Sequence, residues 1–137
     1  PGGTFALVDN VSPDPQSLPD LSRAALRDGG IVFNQFEKLR DPSHGRALTV
    51  DEWQELIADA GLSVTQQRVI AKEMEFGAWA ARMQCTPETT EQLAAMLDQA
   101  TSAASAHLTA FLRPRRDSAG LWISLRELVL VARKPAA

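Results

Sequence analysis

The sequence predicts an α/β chain on a small mixed sheet, with the last strand at its centre. Three observations carry that prediction. Residues 4–8 are apolar on successive positions without alternation, which is how a strand covered on both faces reads. Leu121 to Arg133 places Leu121, Ile123, Leu125, Val129 and Val131 on one parity. Leu128, Leu130 and Ala132 occupy the other, so this strand also wants cover on both sides. Between the two runs lie segments with helical apolar spacing and helix-end signals.

The first strand follows the turn Pro1-Gly2-Gly3 and ends at the turn formers Asp9-Asn10. No Met precedes it, and a strand needing neighbours on both sides starts one turn from the first residue. The expectation is the back portion of a larger enzyme. Pro13, Pro15 and Pro19 keep the next stretch extended. Leu21 to Arg27 is expected as a short helix, capped by Asp20 and stopped by Gly29-Gly30. Another helix is expected from Ile31 to Arg40, with Val32, Phe36 and Leu39 at helical spacing and Pro42 ending it.

Thr49 and Glu52 then form a capping box, because hydroxyl and carboxylate can each satisfy a free backbone N–H. Trp53, Leu56, Ile57 and Ala60 line one face of that helix, and Gly61 takes the left-handed C-terminal position. Leu62 to Glu75 reads as an edge strand, since Arg68, Lys72, Glu73 and Glu75 discourage pairing with another molecule. Phe76 to Met83 is expected as a short helix. Thr86-Pro87-Glu88 opens the next, striped by Leu93, Met96, Leu97 and Ala100. Helical spacing resumes at Ala104, Leu108 and Phe111 until Pro114, and Asp117 to Gly120 is a turn.

The 137 residues are 45 % apolar and 23 % charged, ordinary for a globular domain and unlike a disordered one. A net charge of −3 gives no basic footprint for nucleic acid. Arg113, Arg115 and Arg116 cluster around Pro114, and beside Asp117 they read as a solvated loop. A single cysteine, Cys85, excludes an intrachain disulfide and fits a reducing cytosol, so a cytoplasmic location is expected. No run approaches the ~20 apolar residues of a membrane helix. Two histidines and one cysteine, all dispersed, lack metal-ligand spacing.

Pro1-Gly2-Gly3 before a strand ending in Val8-Asp9 resembles the fifth strand of class I S-adenosylmethionine-dependent methyltransferases. Phe36-Glu37-Lys38-Leu39-Arg40-Asp41-Pro42-Ser43-His44 is similar to a stretch of their ubiquinone/menaquinone-biosynthesis branch. The Thr49–Trp53–Gly61 helix, Glu75-Phe76 with Trp79, and the closing Glu127 to Lys134 strand follow in the same order. The resemblance implies a Rossmann-like fold, of which residues 1–137 would be the C-terminal portion. It implies a three-stranded mixed sheet in the order 5-7-6, with the last strand central and antiparallel, and four to five helices. It also implies a small-molecule methyl acceptor. The family's glycine-rich turn and its ribose-binding acid have no counterpart here, so S-adenosylmethionine is expected for a full-length parent and not for this chain alone. With strand four missing, the first strand would leave an open apolar edge, and a homodimer through it is expected. The alternative is a non-catalytic α/β binding or interaction module.

Candidate site residues follow from position. Ligands of open α/β sheets sit beyond the carboxyl ends of parallel strands, which here means Asp9 and Asn10. Strand termination and turn capping explain the same residues equally well. His44 has an unperturbed pKa near neutrality and suits a proton acceptor, while bracing of Arg40 and Arg46 through Asp41 or backbone is the structural alternative. Asn10, Arg40 and Trp53 are expected at the substrate. Phe33, Phe36, Phe76, Trp79 and Trp122 have helical or strand spacing that suits core packing better than a cleft wall. His107, on a helix among alanines, is expected to be exposed.

Overall fold

A computed structural model describes residues 2–98 and 103–136 of the chain. The elements are β1 (Thr4–Asn10), α1 (Arg23–Arg40), α2 (Val50–Asp59), β2 (Ser63–Glu75), α3 (Phe76–Ala81), α4 (Pro87–Asp98), α5 (Ala103–Leu112), β3 (Arg115–Asp117) and β4 (Gly120–Arg133). Pro1 and Ala100 lie outside the described residues.

The sheet runs β1-β4-β2, with β3 pairing β4 beyond that path. Leu7 lies opposite Leu130, and Val69 opposite Leu128. Every adjacent pair among the described residues is antiparallel. That corrects the expected mixed, three-stranded sheet in two respects. A parallel pair would need a neighbour on the outer edge of β1, which the described residues do not supply. Residues 115–117 also form a short strand where a loop was expected, because they fold back on Gly120 to Trp122. Arg115 there pairs with Asp117 and Glu73, and Arg116 with Asp98.

β4 is covered on opposite faces in its two halves. Leu121, Ile123 and Leu125 enter a core with Phe33 and Phe36 of α1, Trp79 of α3, Leu93 of α4 and Phe111 of α5. Leu128, Leu130 and Ala132 have the other parity and pack with Val50 and Ile57 of α2. Phe36 stacks on Trp79 at 5.2 Å, and Phe33 meets Phe111 edge-on at 4.8 Å. β1 departs from its sequence pattern. Its residues are mostly exposed, with Val8 62 % and Phe5 39 % accessible. The apolar run records the neighbours this strand needs, and among the described residues only β4 lies beside it.

α1 is a single helix of 18 residues, where two were expected. Ser22 caps it in place of Asp20, its Oγ accepting from the Ala25 N–H at 3.2 Å. Gly29 and Gly30 lie inside it. Each glycine costs about 1 kcal/mol against alanine in a helix interior, and the buried face of Leu26, Val32, Phe33 and Phe36 outweighs that. A Cβ on Gly29 would stand 3.7 Å from the Cβ of His107, so α5 packs directly on this turn. His107 is accordingly half-buried, contrary to the expected exposure, and its shielded Nδ1 has no partner.

The capping box of α2 is present. Thr49 Oγ1 accepts from the Glu52 N–H at 3.2 Å, and Glu52 Oε2 accepts from the Thr49 N–H at 2.8 Å. Gly61 has φ of +70°, as its left-handed position requires. A second cap on this helix comes from 36 residues upstream of Val50. The buried Asp14 accepts the Val50 N–H at 2.7 Å through Oδ2 and the Ser17 N–H at 2.7 Å through Oδ1. Among the described residues no cation pairs with it; backbone donors and the helix N-terminus meet its charge instead.

Asp14→Ala is expected to destabilise the chain by about 2 kcal/mol or more in urea unfolding, against about 1 kcal/mol for Thr49→Ala. No loss on Asp14→Ala would show that the remote cap adds nothing.

Candidate functional site

The side-chain amide of Asn34, in the middle of α1, organises the region beyond the carboxyl end of β1. Its Oδ1 accepts the Ala47 N–H at 2.7 Å and lies 3.0 Å from His44 Nε2. Its Nδ2 donates to Ser12 Oγ at 3.1 Å and to the Gly30 carbonyl at 2.9 Å. The backbone N–H of Ala47 and the carbonyl of Gly30 have fixed polarity, so the amide has one possible orientation. An Oδ1 that only accepts requires a proton on His44 Nε2. In the neutral ring, Nδ1 therefore keeps the lone pair.

Other contacts fix the same segment. Lys38 Nζ donates to the His44 carbonyl at 2.8 Å, and Ser12 Oγ to the Ala47 carbonyl at 2.8 Å. Arg46 Nη1 bridges both carboxylate oxygens of Glu52 at 2.7 and 2.9 Å. Burial opposes ionisation of Glu52, but the Thr49 N–H and Arg46 outweigh it and hold the carboxyl below its ordinary value.

Two cavities flank residues 44–46. An open groove of about 940 Å³ runs along α1, with Leu26, Ile31 and Leu39 among its walls. A smaller cavity of about 190 Å³ is lined by Asp9 and Asn10 from the end of β1, Phe33 and Glu37 from α1, and residues 44–47. Glu37 is only 6 % exposed. Its Oε2 meets Arg40 Nη1 at 3.3 Å, while Oε1 is shielded and has no partner. Burial raises its pKa, and the nearby charges of Arg40 and His44 only partly offset that.

The cavity thus brings together two of the sequence-predicted residues, Asn10 and His44, with Asp9 beside them. Asp9 Oδ1 also accepts the Asn10 N–H at 2.8 Å, which is the turn-capping role. Both readings of His44 have a geometric counterpart. Its backbone N–H donates to the Asp41 carbonyl at 2.9 Å, and the residue lines both cavities.

Arg40 lines neither cavity. Its Nε donates to the Trp79 carbonyl at 3.1 Å and its guanidinium lies 4.2 Å from the Trp79 ring centroid. It positions Glu37. Trp53 also lines neither, and packs with the α2 cluster with its indole N–H shielded and unpartnered. Sequence reasoning missed Asn34 and Glu37. The available signal was two polar residues one turn apart beside buried Phe33 and Phe36.

The chain's glycines do not make a cofactor cradle. Gly2 and Gly3 precede β1, and Gly29 and Gly30 are inside a helix, whereas a nucleotide-type cradle needs glycines in a turn between strand and helix. The described residues therefore do not fit the methionine or ribose part of S-adenosylmethionine. Among them, no group of three or more His, Cys, Asp or Glu could hold a metal ion, and no helix is long and apolar enough to cross a membrane.

No family model and no curated protein matches the chain. Among the solved structures that share its fold are two bacterial proteins. One is BH2331 from Bacillus halodurans, provisionally described as a methyltransferase. It has 24 % identity and a TM-score of 0.77, with 98 % of this chain and 57 % of that chain covered. The other is the YcgJ protein of Bacillus subtilis, with 20 % identity and a TM-score of 0.75, covering 98 % of this chain and 52 % of that one. At these identities the likeness is one of fold. The chain spans little more than half the length of either.

A raised pKa means that folded Glu37 keeps its proton to higher pH than the unfolded chain does. Wild-type stability should therefore fall, relative to Glu37→Gln, as pH climbs from the ordinary value of 4.5 through the raised one. Below 4.5 the two should differ least. Asp41 and Glu52, whose pKa values are lowered, act in the opposite sense in both proteins and cancel in the difference. Urea unfolding of both proteins across this range measures it; a difference flat in pH would show that Glu37 ionises normally.

Proposed function

We propose that the chain is the C-terminal portion of a class I S-adenosylmethionine-dependent methyltransferase acting on a small molecule. The observation that carries this reading is the fold shared over 98 % of the chain with BH2331, of which it spans 57 %. The strand arrangement supports it: an edge strand first, an outer strand second, and a final strand between them and antiparallel to both. That is the arrangement expected for the 5-7-6 end of the family's sheet. The small cavity supports it further, since it opens where ligands of such sheets gather.

The division of labour follows from what the chain contains. The cofactor belongs to the upstream portion, and residues 1–137 form the acceptor side. Phe33 gives that side an apolar wall, while Asn10, Glu37 and His44 give it polar groups that orient a molecule and take up a proton.

Isothermal calorimetry is expected to give no binding of S-adenosylmethionine by these 137 residues. Binding is expected once the polypeptide is extended upstream through a strand and a glycine-rich turn. Heat of binding from the 137 residues alone, or none from the extended protein, would overturn the reading.

The chain by itself is also proposed to self-associate, two copies pairing β1 about a two-fold axis. The outer edge of β1 is unpaired among the described residues, and Phe5 and Val8 are exposed beside it. Sedimentation velocity at micromolar concentration should show a dimer that Val8→Lys weakens. A clean wild-type monomer would rule it out.

A further inference from the structure

We propose that Arg126, with the Ser124 hydroxyl and Arg113 beside it, forms a binding site for a small oxyanion, a carboxylate or phosphate group. The site lies on β4 and does not depend on the methyltransferase reading.

Arg126 is only 6 % exposed. Among the described residues its side chain makes one hydrogen bond, from Nη1 to Ser124 Oγ at 2.8 Å. A guanidinium offers several N–H donors and does not shed its proton in a protein. Charged side chains are seldom buried unless an opposite charge accompanies them. A neutral hydroxyl does not supply that charge. Arg40, similarly sheltered, has the Glu37 carboxylate.

The nearby acids are engaged elsewhere. Glu73 stands opposite Ser124 on β2, and its carboxylate takes Arg115. Glu127 has the other parity on β4 and takes Lys72. Asp117 accepts from Arg115, from the Trp122 indole and from the Ala119 N–H. Asp14 is met by backbone donors. The neighbouring charge that acts on Arg126 is instead another cation. Burial and then Arg113 both push the Arg126 pKa down, and no carboxylate opposes them.

The strand arrangement brings the two arginines together. β1 ends opposite Glu127 and β3 begins opposite Trp122, on the same edge of β4. Among the described residues no strand lies along residues 123–125 on that edge. Arg113 follows the end of α5, two residues before β3, and is exposed. Arg115 and Arg116 are taken by Glu73, Asp117 and Asp98, while no described carboxylate pairs with Arg113. The remaining Arg126 nitrogens are not among the shielded, unpartnered atoms, so they still reach solvent.

An oxyanion answers this arrangement. The Nε–Nη2 edge of Arg126 is a fork that donates two parallel N–H bonds to one carboxylate or phosphate. Ser124 Oγ accepts from Nη1 and keeps its own hydrogen to donate. Arg113 adds a second positive charge from the solvent side. A cation or an apolar group would leave both like charges uncompensated.

The test follows urea unfolding of the 137-residue chain while chloride is replaced by millimolar inorganic phosphate or acetate at constant ionic strength. A ligand of the folded state raises stability with its concentration. Phosphate or acetate is expected to raise the urea midpoint to saturation, and the more effective one identifies the group. The Arg126 Nε–Hε signal in ¹⁵N spectra should move with the same saturation. Arg126→Met keeps the stem and removes the charge. It is expected to match or exceed wild-type stability in chloride and to lose the response to the oxyanion. Arg113→Ala, at an exposed position, should bind about fivefold more weakly. If Arg126→Met does not fold, Arg113→Ala and the Arg126 signal decide the question. Equal stability of wild type in all three salts overturns the proposal, as does an unchanged response in Arg126→Met, which marks a general salt effect. A response lost when the polypeptide is extended upstream would make an acid of that portion the partner, and would also overturn it. None of these readouts involves S-adenosylmethionine, so failure of the methyltransferase reading leaves them intact.

Discussion

The Asn34 amide is the interaction on which the rest of the site depends. One side chain uses both donor hydrogens and both acceptor positions on four partners. Through Ser12 it ties down the segment leaving β1. Through Ala47 and His44 it ties down the segment that follows α1. A loop of nine residues between two helices has few ways to hold a fixed shape in water. Here it has a hydrogen-bonded floor, and the polarity of that floor dictates which ring nitrogen of His44 carries the proton. The cavity wall is therefore set by one amide on a rigid helix.

Glu37 stands one turn further along the same helix, and its environment is built by subtraction. Burial favours the protonated carboxyl, while Arg40 favours the carboxylate. Arg40 is itself shared, because Trp79 takes its Nε hydrogen and offers its ring face. The guanidinium can thus meet only one oxygen, at 3.3 Å. An arginine free to form a bidentate pair would have fixed the carboxylate as an ordinary buried ion pair. Withholding that second contact leaves an acceptor unsatisfied beside a cavity. Arg40, read from the sequence as a substrate contact, therefore acts on the cavity through Glu37.

What was legible in the sequence was local or strongly patterned. The Thr49–Glu52 box and Gly61 depend on partners within a few residues, and both appear as the sequence implies. β4 is legible because its apolar residues fill both parities. The structure adds that the two parities are covered in different halves of the strand. Gly29-Gly30 was misleading for an energetic reason. Two weak helix formers cost less than the burial of four large side chains on the same helix contributes. The exposure of β1 was illegible in principle, since a pattern states what neighbours a strand requires and not whether they are present. Asn34 and Glu37 were illegible for a related reason. Periodicity assigns polar residues on an amphipathic helix to solvent, and contacts from Ser12 and from residues 40–47 turn these two inward.

The change of cover along β4 explains why the cavity is where it is. Up to Leu125 the odd residues face α1, α3, α4 and α5, and from Leu128 the even residues face α2 on the opposite side. Between the two halves lie the buried Arg126 and Glu127, which pairs with Lys72 of β2. β1 ends there, with Asn10 opposite Glu127 and the Val11 N–H donating to the Arg126 carbonyl. The chain must cross from one layer to the other at this point, and it does so twice, at residues 11–19 and again at residues 41–49. Two crossings side by side leave a gap that neither core fills. Their exposed backbone groups need partners, which Ser12, Asn34 and Asp14 supply. A polar, partly walled space at the end of the sheet is then a consequence of how the strand is covered. Side-chain choice at Phe33, Glu37 and His44 decides only what that space accepts.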